Sequence, residues 1–167
     1  MIDSFIKKLL FIRQFWFNDG RFEILGIKRI GIPINSVIRL QSVNPEKFSE
    51  IIKEEAKKEF EFFEKKLNQN KTSLINVLPD LLNTYGLGKF IIVDLNLEKK
   101  TAIINVQDSL IATEFISHKI KTTKPVCNIT GAILKGVFEY LFEKEVNYSE
   151  TKCITQGAKL CEFIINY

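Results

Sequence analysis

The chain has 167 residues, enough for one domain or for a domain with an appended arm. Charged residues make up 26% and the hydrophobic set 46%, which excludes a wholly disordered chain. The formal net charge of +4 is small and scattered and argues against a nucleic-acid partner, while the longest apolar runs, such as Leu9-Leu10-Phe11-Ile12, fall far short of the roughly 18 residues of a membrane span.

Ile2–Gln14 carries a helical stripe of Phe5, Ile6, Leu9, Leu10 and Ile12, with Asp3 or Ser4 as a cap. Lys7 and Lys8 interrupt that stripe and no small-residue cleavage site follows, so it does not read as a signal peptide and a cytoplasmic location is expected. Phe15-Trp16-Phe17 runs into Asn18-Asp19-Gly20, a hairpin signal. Arg21–Leu25 and Ile27–Ile32, around Gly26, predict an antiparallel meander ending at Pro33. Asn44 is placed to cap a helix with Pro45 in its first position. Phe48, Ile52, Ala56, Phe60, Phe63 and Leu67 then recur as one face of a helix of about six turns. A second helix is expected over Ser73–Tyr85, kinked or split at Pro79 and closed by Gly86-Leu87-Gly88. Two strands follow, Phe90–Leu97 and Thr101–Val106, around Glu98-Lys99-Lys100. Ser109–Lys119 reads as helical and Lys121–Lys124 as a loop. Asn128–Phe142 reads as a helix with Ile129, Ile133, Val137, Tyr140 and Leu141 on one side and Lys135 and Glu139 on the other. Val146–Cys153 and Lys159–Ile165 form an expected closing hairpin around Gln156-Gly157. Helices and antiparallel strands without regular βαβ alternation make the fold class α+β.

All three cysteines lie in the last quarter, at Cys127, Cys153 and Cys161. An odd number excludes a full disulfide framework, and cytosolic thiols stay reduced. One reading makes them ordinary buried core residues. A second makes them metal ligands. Cys153 and Cys161 are symmetric about Gly157, so a hairpin turning there sets them opposite each other. Cys127 stands where a helix begins, and a helix N-terminus favours the thiolate. Glu150 precedes Cys153 by three residues and offers an oxygen. Three thiolates and one carboxylate satisfy tetrahedral zinc, and soft thiolates disfavour magnesium and calcium. On an ideal strand Glu150 and Cys153 face opposite sides, so a bulge or an early turn is required.

The segment Pro125-Val126-Cys127 … Gly131 … Gly136 … Glu150-Thr151-Lys152-Cys153 … Gly157-Ala158-Lys159-Leu160-Cys161-Glu162-Phe163 resembles the signature of the 4-vinyl reductase-like domain family. That family also supplies the zinc-containing sensor half of aromatic-responsive transcriptional activators. The resemblance centres on residues 109–167, with looser matches in the upstream meander. It implies a structural zinc on Cys127, Glu150, Cys153 and Cys161. It also implies a fold similar to the trafficking-complex (TRAPP) subunits, a pocket for a small apolar or aromatic ligand, and a homodimer. The expected division is residues 1–43 as helix, meander and dimerisation arm, and residues 44–167 as the 4-vinyl reductase-like domain with its metal core in 109–167. The hairpin carrying Tyr148 is the family's pocket wall, and Phe138 and Tyr140 lie on the facing helix; these three are the candidate pocket residues.

No catalytic residue is assigned. The sequence has no GxSxG elbow, no GxGxxG fingerprint and no GxxxxGK[ST] loop, and its lone histidine, His118, has no evident partner for nucleophilic chemistry. The chain reads as a free-standing, zinc-binding ligand-binding or sensing domain, with no direct nucleic-acid contact. The alternative is a tetrapyrrole vinyl-reductase-related enzyme or a pigment carrier, as the family's name suggests.

Overall fold

The computed structural model describes residues 15–67 and 70–167. The helix predicted over Ile2–Gln14 lies outside the described residues.

Three short strands open the described chain: β1 (Phe15–Asn18), β2 (Arg21–Ile24) and β3 (Ile27–Arg29), paired antiparallel in that order. Phe15 pairs with Ile24 and Asn18 with Arg21, so Asp19-Gly20 is a two-residue turn. Both turn residues have positive φ, 50° and 74°, the geometry that matches strand twist and favours glycine second. β3 stops at Arg29, short of the expected Ile32, because Arg29 is drawn out of the meander. Its guanidinium makes two hydrogen bonds to Glu59, at 2.7 and 3.0 Å, and lies 5.3 Å over the Tyr85 ring.

A helix that the sequence reading does not contain follows. α1 (Ile34–Val43) starts at Pro33 with no side-chain cap. Ile34, Val37, Ile38 and Gln41 fall at helical spacing and pack inward, but three of the four are β-branched and the segment reads locally as strand. α2 (Pro45–Leu67) begins where predicted. Asn44 Oδ1 accepts a hydrogen bond from Lys47 N at 3.0 Å. Replacing Asn44 with alanine leaves that amide without its cap and is expected to lower the melting temperature by about 2–4 °C, from a cap worth about 1 kcal/mol. Thermal denaturation followed by circular dichroism measures it.

α3 (Lys71–Asn83) continues through Pro79 and is capped by Asn70, whose Oδ1 accepts from Ser73 N at 2.8 Å. β4 (Lys89–Asn96) and β5 (Thr101–Gln107) form an antiparallel pair with an irregularity at Val93. α4 (Leu110–Ser117) is capped by Ser109. α5 (Asn128–Phe142) has its predicted limits. β6 (Asn147–Lys152) and β7 (Cys161–Asn166) complete a four-stranded antiparallel sheet of order β4-β5-β7-β6. The architecture is therefore α+β, as expected.

α5 lies between two layers. One side packs on α2 and the other on the β6–β7 end of the sheet. That position corrects the two-sided reading of this helix, because Glu139, expected on a solvent face, is only 6% exposed. Its carboxylate sits 3.9 Å from Lys53 on α2 and 3.8 Å from Lys135. Buried carboxylates are retained when cations flank them in this way. Gly136 makes the close approach to α2 possible: a Cβ there would meet the Lys53 carbonyl oxygen at 2.1 Å. The core runs from Ile24 and Leu25 of the meander through Phe60 and Phe63 of α2 to Phe138, Cys127, Cys153, Cys161 and Phe163. Among the described residues no helix is long and apolar enough to cross a membrane.

Candidate metal centre

α5, β6 and β7 converge at one end of the sheet. Cys127 is the N-cap residue of α5, Cys161 opens β7, and Cys153 follows β6 directly. The β6–β7 register pairs Lys152 with Glu162, so Cys153 and Cys161 stand opposite each other one step further toward the turn. A short 3-10 turn over Ile154–Gln156 closes the connection, with Gly157 at φ 87°. Gln156 N and Ala158 N both bond the Cys153 carbonyl, at 3.0 and 3.3 Å, which fixes the thiol's backbone.

Glu150 joins the cysteines through a bulge. Glu150 pairs with Phe163 but Lys152 pairs with Glu162, so Thr151 is the extra residue. One added residue reverses the facing of everything beyond it, and Glu150 and Cys153 come to the same side. The four donor atoms of Cys127, Glu150, Cys153 and Cys161 all lie within 4.8 Å of one another and can hold a metal ion. Cys127 Sγ is 3.6 Å from Cys161 Sγ, and Cys161 Sγ is 3.9 Å from Cys153 Sγ. Glu150 Oε2 accepts the Cys127 backbone N–H at 2.9 Å. Its other oxygen, Oε1, is buried without a hydrogen-bond partner. A buried carboxylate oxygen left bare is costly, so the geometry calls for a positive group at that point.

The electrostatics agree. Hydrogen bonds from the Cys127 and Cys161 thiols, and then Thr155, hold Cys153 well below the usual thiol range. Hydrogen bonds to Cys153 and Cys161, with burial behind them, push Cys127 far upward. At Cys161 the Cys127 contact pulls downward, but Cys153 and burial outweigh it and the thiol is pushed up to about 12. Burial, and then the neighbouring Cys153, raises Glu150 to about 7 against the lowering effect of the Cys127 amide. Three thiols and a carboxyl compete for charge in a space that tolerates little negative charge without a cation. Two further neighbours escaped the sequence reading: Ser109 Oγ lies 3.4 Å from Cys127 Sγ, and Thr155 Oγ1 lies 3.1 Å from Cys153 Sγ. Ser109 was legible as a helix cap, but its place beside Cys127 depends on how α4 packs.

The segment that builds this cluster has a family. Residues 111–167 match the vinyl-4-reductase domain. The resemblance to 4-vinyl reductase-like domains holds over that span. Solved structures extend the likeness to the fold of the whole chain. The phenol-responsive sensory domain of the transcription activator PoxR, solved with phenol, superimposes with a TM-score of 0.76 at 14% identity, over 99% of this chain and 91% of that one. A vinyl-4-reductase family protein from Methanocaldococcus jannaschii gives 0.55 at 18% identity, over 99% and 96%. A trafficking protein particle complex subunit 3 from Naegleria fowleri, covalently bound to palmitic acid, gives 0.50 at 10% identity, over 80% and 87%. At these identities the likeness is one of fold, and it includes the TRAPP-subunit architecture. No curated protein sequence matches the chain.

The three candidate pocket residues of the matched segment do not share one place. Phe138 is fully buried, with its ring centroid 5.2 Å from that of Phe142. Tyr140 points toward α2, where its hydroxyl donates to Glu64 and Lys71 lies 4.8 Å over its ring. Tyr140 lines an open cleft of about 340 Å³ with Lys57, Glu61 and Glu143, and neither Phe138 nor Tyr148 lines it. Tyr148 packs across Gly131 of α5, where a Cβ would meet its ring at 2.0 Å, and its hydroxyl lies 3.5 Å from the Asn128 carbonyl oxygen. Of the three, only Tyr148 adjoins the donor cluster. His118 stays on the surface, 3.1 Å from Glu114 Oε1 and 3.0 Å from Asn35 Nδ2, and joins α4 to α1.

Proposed function

We propose that this chain is a sensing domain of the vinyl-4-reductase type for small apolar or aromatic molecules, stabilised by a structural zinc ion on Cys127, Glu150, Cys153 and Cys161. The observation that carries the reading is the buried donor set, with Glu150 Oε1 bare among three sulfurs. Donors on a tetrahedron around zinc, with sulfur at about 2.3 Å from the ion, stand about 3.8 Å apart. The sulfur separations of 3.6 and 3.9 Å bracket that value. Four protein donors leave no open position, so the zinc would supply cross-linking and charge compensation. Cys127 would anchor the start of α5, Glu150 and Cys153 the end of β6, and Cys161 the start of β7.

The similarity to a phenol-responsive sensory domain supports a small aromatic ligand. Tyr148 is the residue we assign to the pocket wall, because it spans from the β6 edge to Gly131 beside the donors. Phe138 and Tyr140 serve packing and the α2 contact. We further assign residues 1–43 to dimerisation. Phe17, 73% exposed, and Ile30, 81% exposed, give the meander an apolar surface, and residues 44–167 form the ligand-binding body. The cytosol is the compartment that suits three reduced thiols.

Native mass spectrometry of the purified chain tests the reading. We expect a dimer with one zinc per chain, loss of zinc in Cys153→Ser, and added mass on incubation with phenol or a related monocyclic aromatic. A native chain without metal returns the cysteines to the core, and a metal-loaded chain that takes up none of these aromatics removes the sensing role.

A further inference from the structure

The net charge of +4 looks scattered along the sequence, yet the fold gathers part of it at one end. Between Phe115 and Phe138 there is no aspartate or glutamate. The loop after α4 carries Lys119, Lys121 and Lys124, all exposed. It lies against the hairpin turn: Thr122 Oγ1 is 3.4 Å from Thr155 Oγ1, and Gln156 Nε2 donates to the Thr123 carbonyl at 3.2 Å. That turn adds the exposed Lys159. None of these four lysines forms an ion pair among the described residues. The nearest acids are committed elsewhere. Glu114 faces His118, Glu162 binds Lys152 at 2.9 Å, and Glu150 points into the donor cluster. Two aliphatic side chains stand among the lysines, Ile116 at 49% and Ile120 at 47% exposure.

The backbone holds this display rigidly. Lys119 takes a left-handed conformation, φ 55°, with Lys119 N bonded to the Ile116 carbonyl at 2.9 Å and Ile120 N to the Phe115 carbonyl at 3.0 Å. That pair of bonds is a Schellman helix ending, whose left-handed position glycine fills at least strain.

We propose that this end of the molecule, formed by the 116–124 segment and the Gly157–Lys159 turn, docks reversibly on an anionic phospholipid surface. Lysines without counter-charge, interspersed with aliphatic side chains, suit a charged headgroup layer with an apolar layer beneath it. Nucleic acid fits less well, since the patch has no arginine to clamp phosphate or base and no aromatic ring to stack. An acidic protein groove fits less well too, because the patch projects from a helix end and a hairpin turn.

Flotation of the full chain with phosphatidylcholine vesicles, with and without phosphatidylserine, tests this. Binding is expected with phosphatidylserine only, and to fall as salt rises. Each lysine removed should weaken partitioning about fivefold, and Lys119→Glu/Lys121→Glu/Lys124→Glu together by about 100-fold or more. Lys119→Gly should bind about fivefold more weakly while melting no lower than the native chain, which separates docking from folding. Lys99→Glu, in the β4–β5 turn, makes the same charge change as one of these substitutions and should bind nearly as the native chain does. Equal flotation with neutral vesicles, unchanged flotation of the triple variant, or tighter binding to duplex DNA than to the anionic vesicles overturns the proposal.

Discussion

A Cys161→Ser chain is expected to melt about 10–20 °C below the native protein, the consequence of losing about 5 kcal/mol at 2–4 °C per kcal/mol for a chain of this size. The position of Cys161 explains why so much stability depends on it. It is fully buried, opens β7, and has both other sulfurs within 3.9 Å. β7 is an interior strand between β5 and β6. Unfastening its first residue frees the β6 edge, releases Glu150 from the Cys127 amide and loosens the first turn of α5. Structural zinc in small domains contributes on the order of 10–16 kcal/mol of apparent binding energy. Here the α2–α5 core persists without it, so only part of that energy appears as a shift in melting. Serine is close to cysteine in size. Without any metal the substitution would cost about 1–2 kcal/mol, a fall of about 2–8 °C. Differential scanning calorimetry separates the cases. A strong chelator should bring the native chain down to the melting temperature of the variant and leave the variant where it is. A native chain indifferent to chelation would show that the cluster is held by packing alone.

The readable and unreadable parts of this chain differ for physical reasons. α2 was legible because a cap, a helix-start proline and an unbroken apolar face agree along its length. The Asp19-Gly20 turn was legible because two successive positive φ angles have few sequence solutions. α1 was not, since Ile34, Val37 and Ile38 favour strands locally and become helical only where α2 and α4 offer a surface. The limits of α5 were legible but its surroundings were not. Lys135 and Glu139 look like a solvent face until α2 is packed over them. At the metal centre, the spacing of the four donors was readable, and so was the need for a bulge between Glu150 and Cys153. The site of the extra residue, Thr151, follows from register. The pocket residues were the least legible. Phe138 and Tyr140 lie two apart on a helix and point to different sides, which a resemblance to a segment does not reveal. The lysines of the 118–124 loop looked like ordinary loop charges, and only the contact with the hairpin turn collects them.

Gly136→Ala is expected to destabilise the chain by about 2–3 kcal/mol, a fall of about 4–12 °C in melting temperature, although alanine is the better helix former. In an open helix the change would gain about 1 kcal/mol, because glycine loses more backbone freedom on folding. The site reverses the sign. The added methyl would sit 2.1 Å from the Lys53 carbonyl oxygen and 3.2 Å from the Ala56 methyl. Backbone cannot swing aside as a side chain can, so α2 and α5 must separate. Their contact then loses close packing along its length, and the Glu139 carboxylate is drawn from the Lys53 ammonium. Gly131→Ala is the informative contrast. Its added methyl meets the Tyr148 ring at 2.0 Å, and a ring on an edge strand can move. Stability should fall less there. The displaced Tyr148 would instead disturb Glu150, two residues along β6, so metal retention under a competing chelator should weaken. Melting curves and chelator competition on the two variants check both halves. If Gly136→Ala melts at or above the native temperature, α2 and α5 are not held at the closeness that buries Glu139. If Gly131→Ala leaves metal retention unchanged, Tyr148 is independent of the donor cluster.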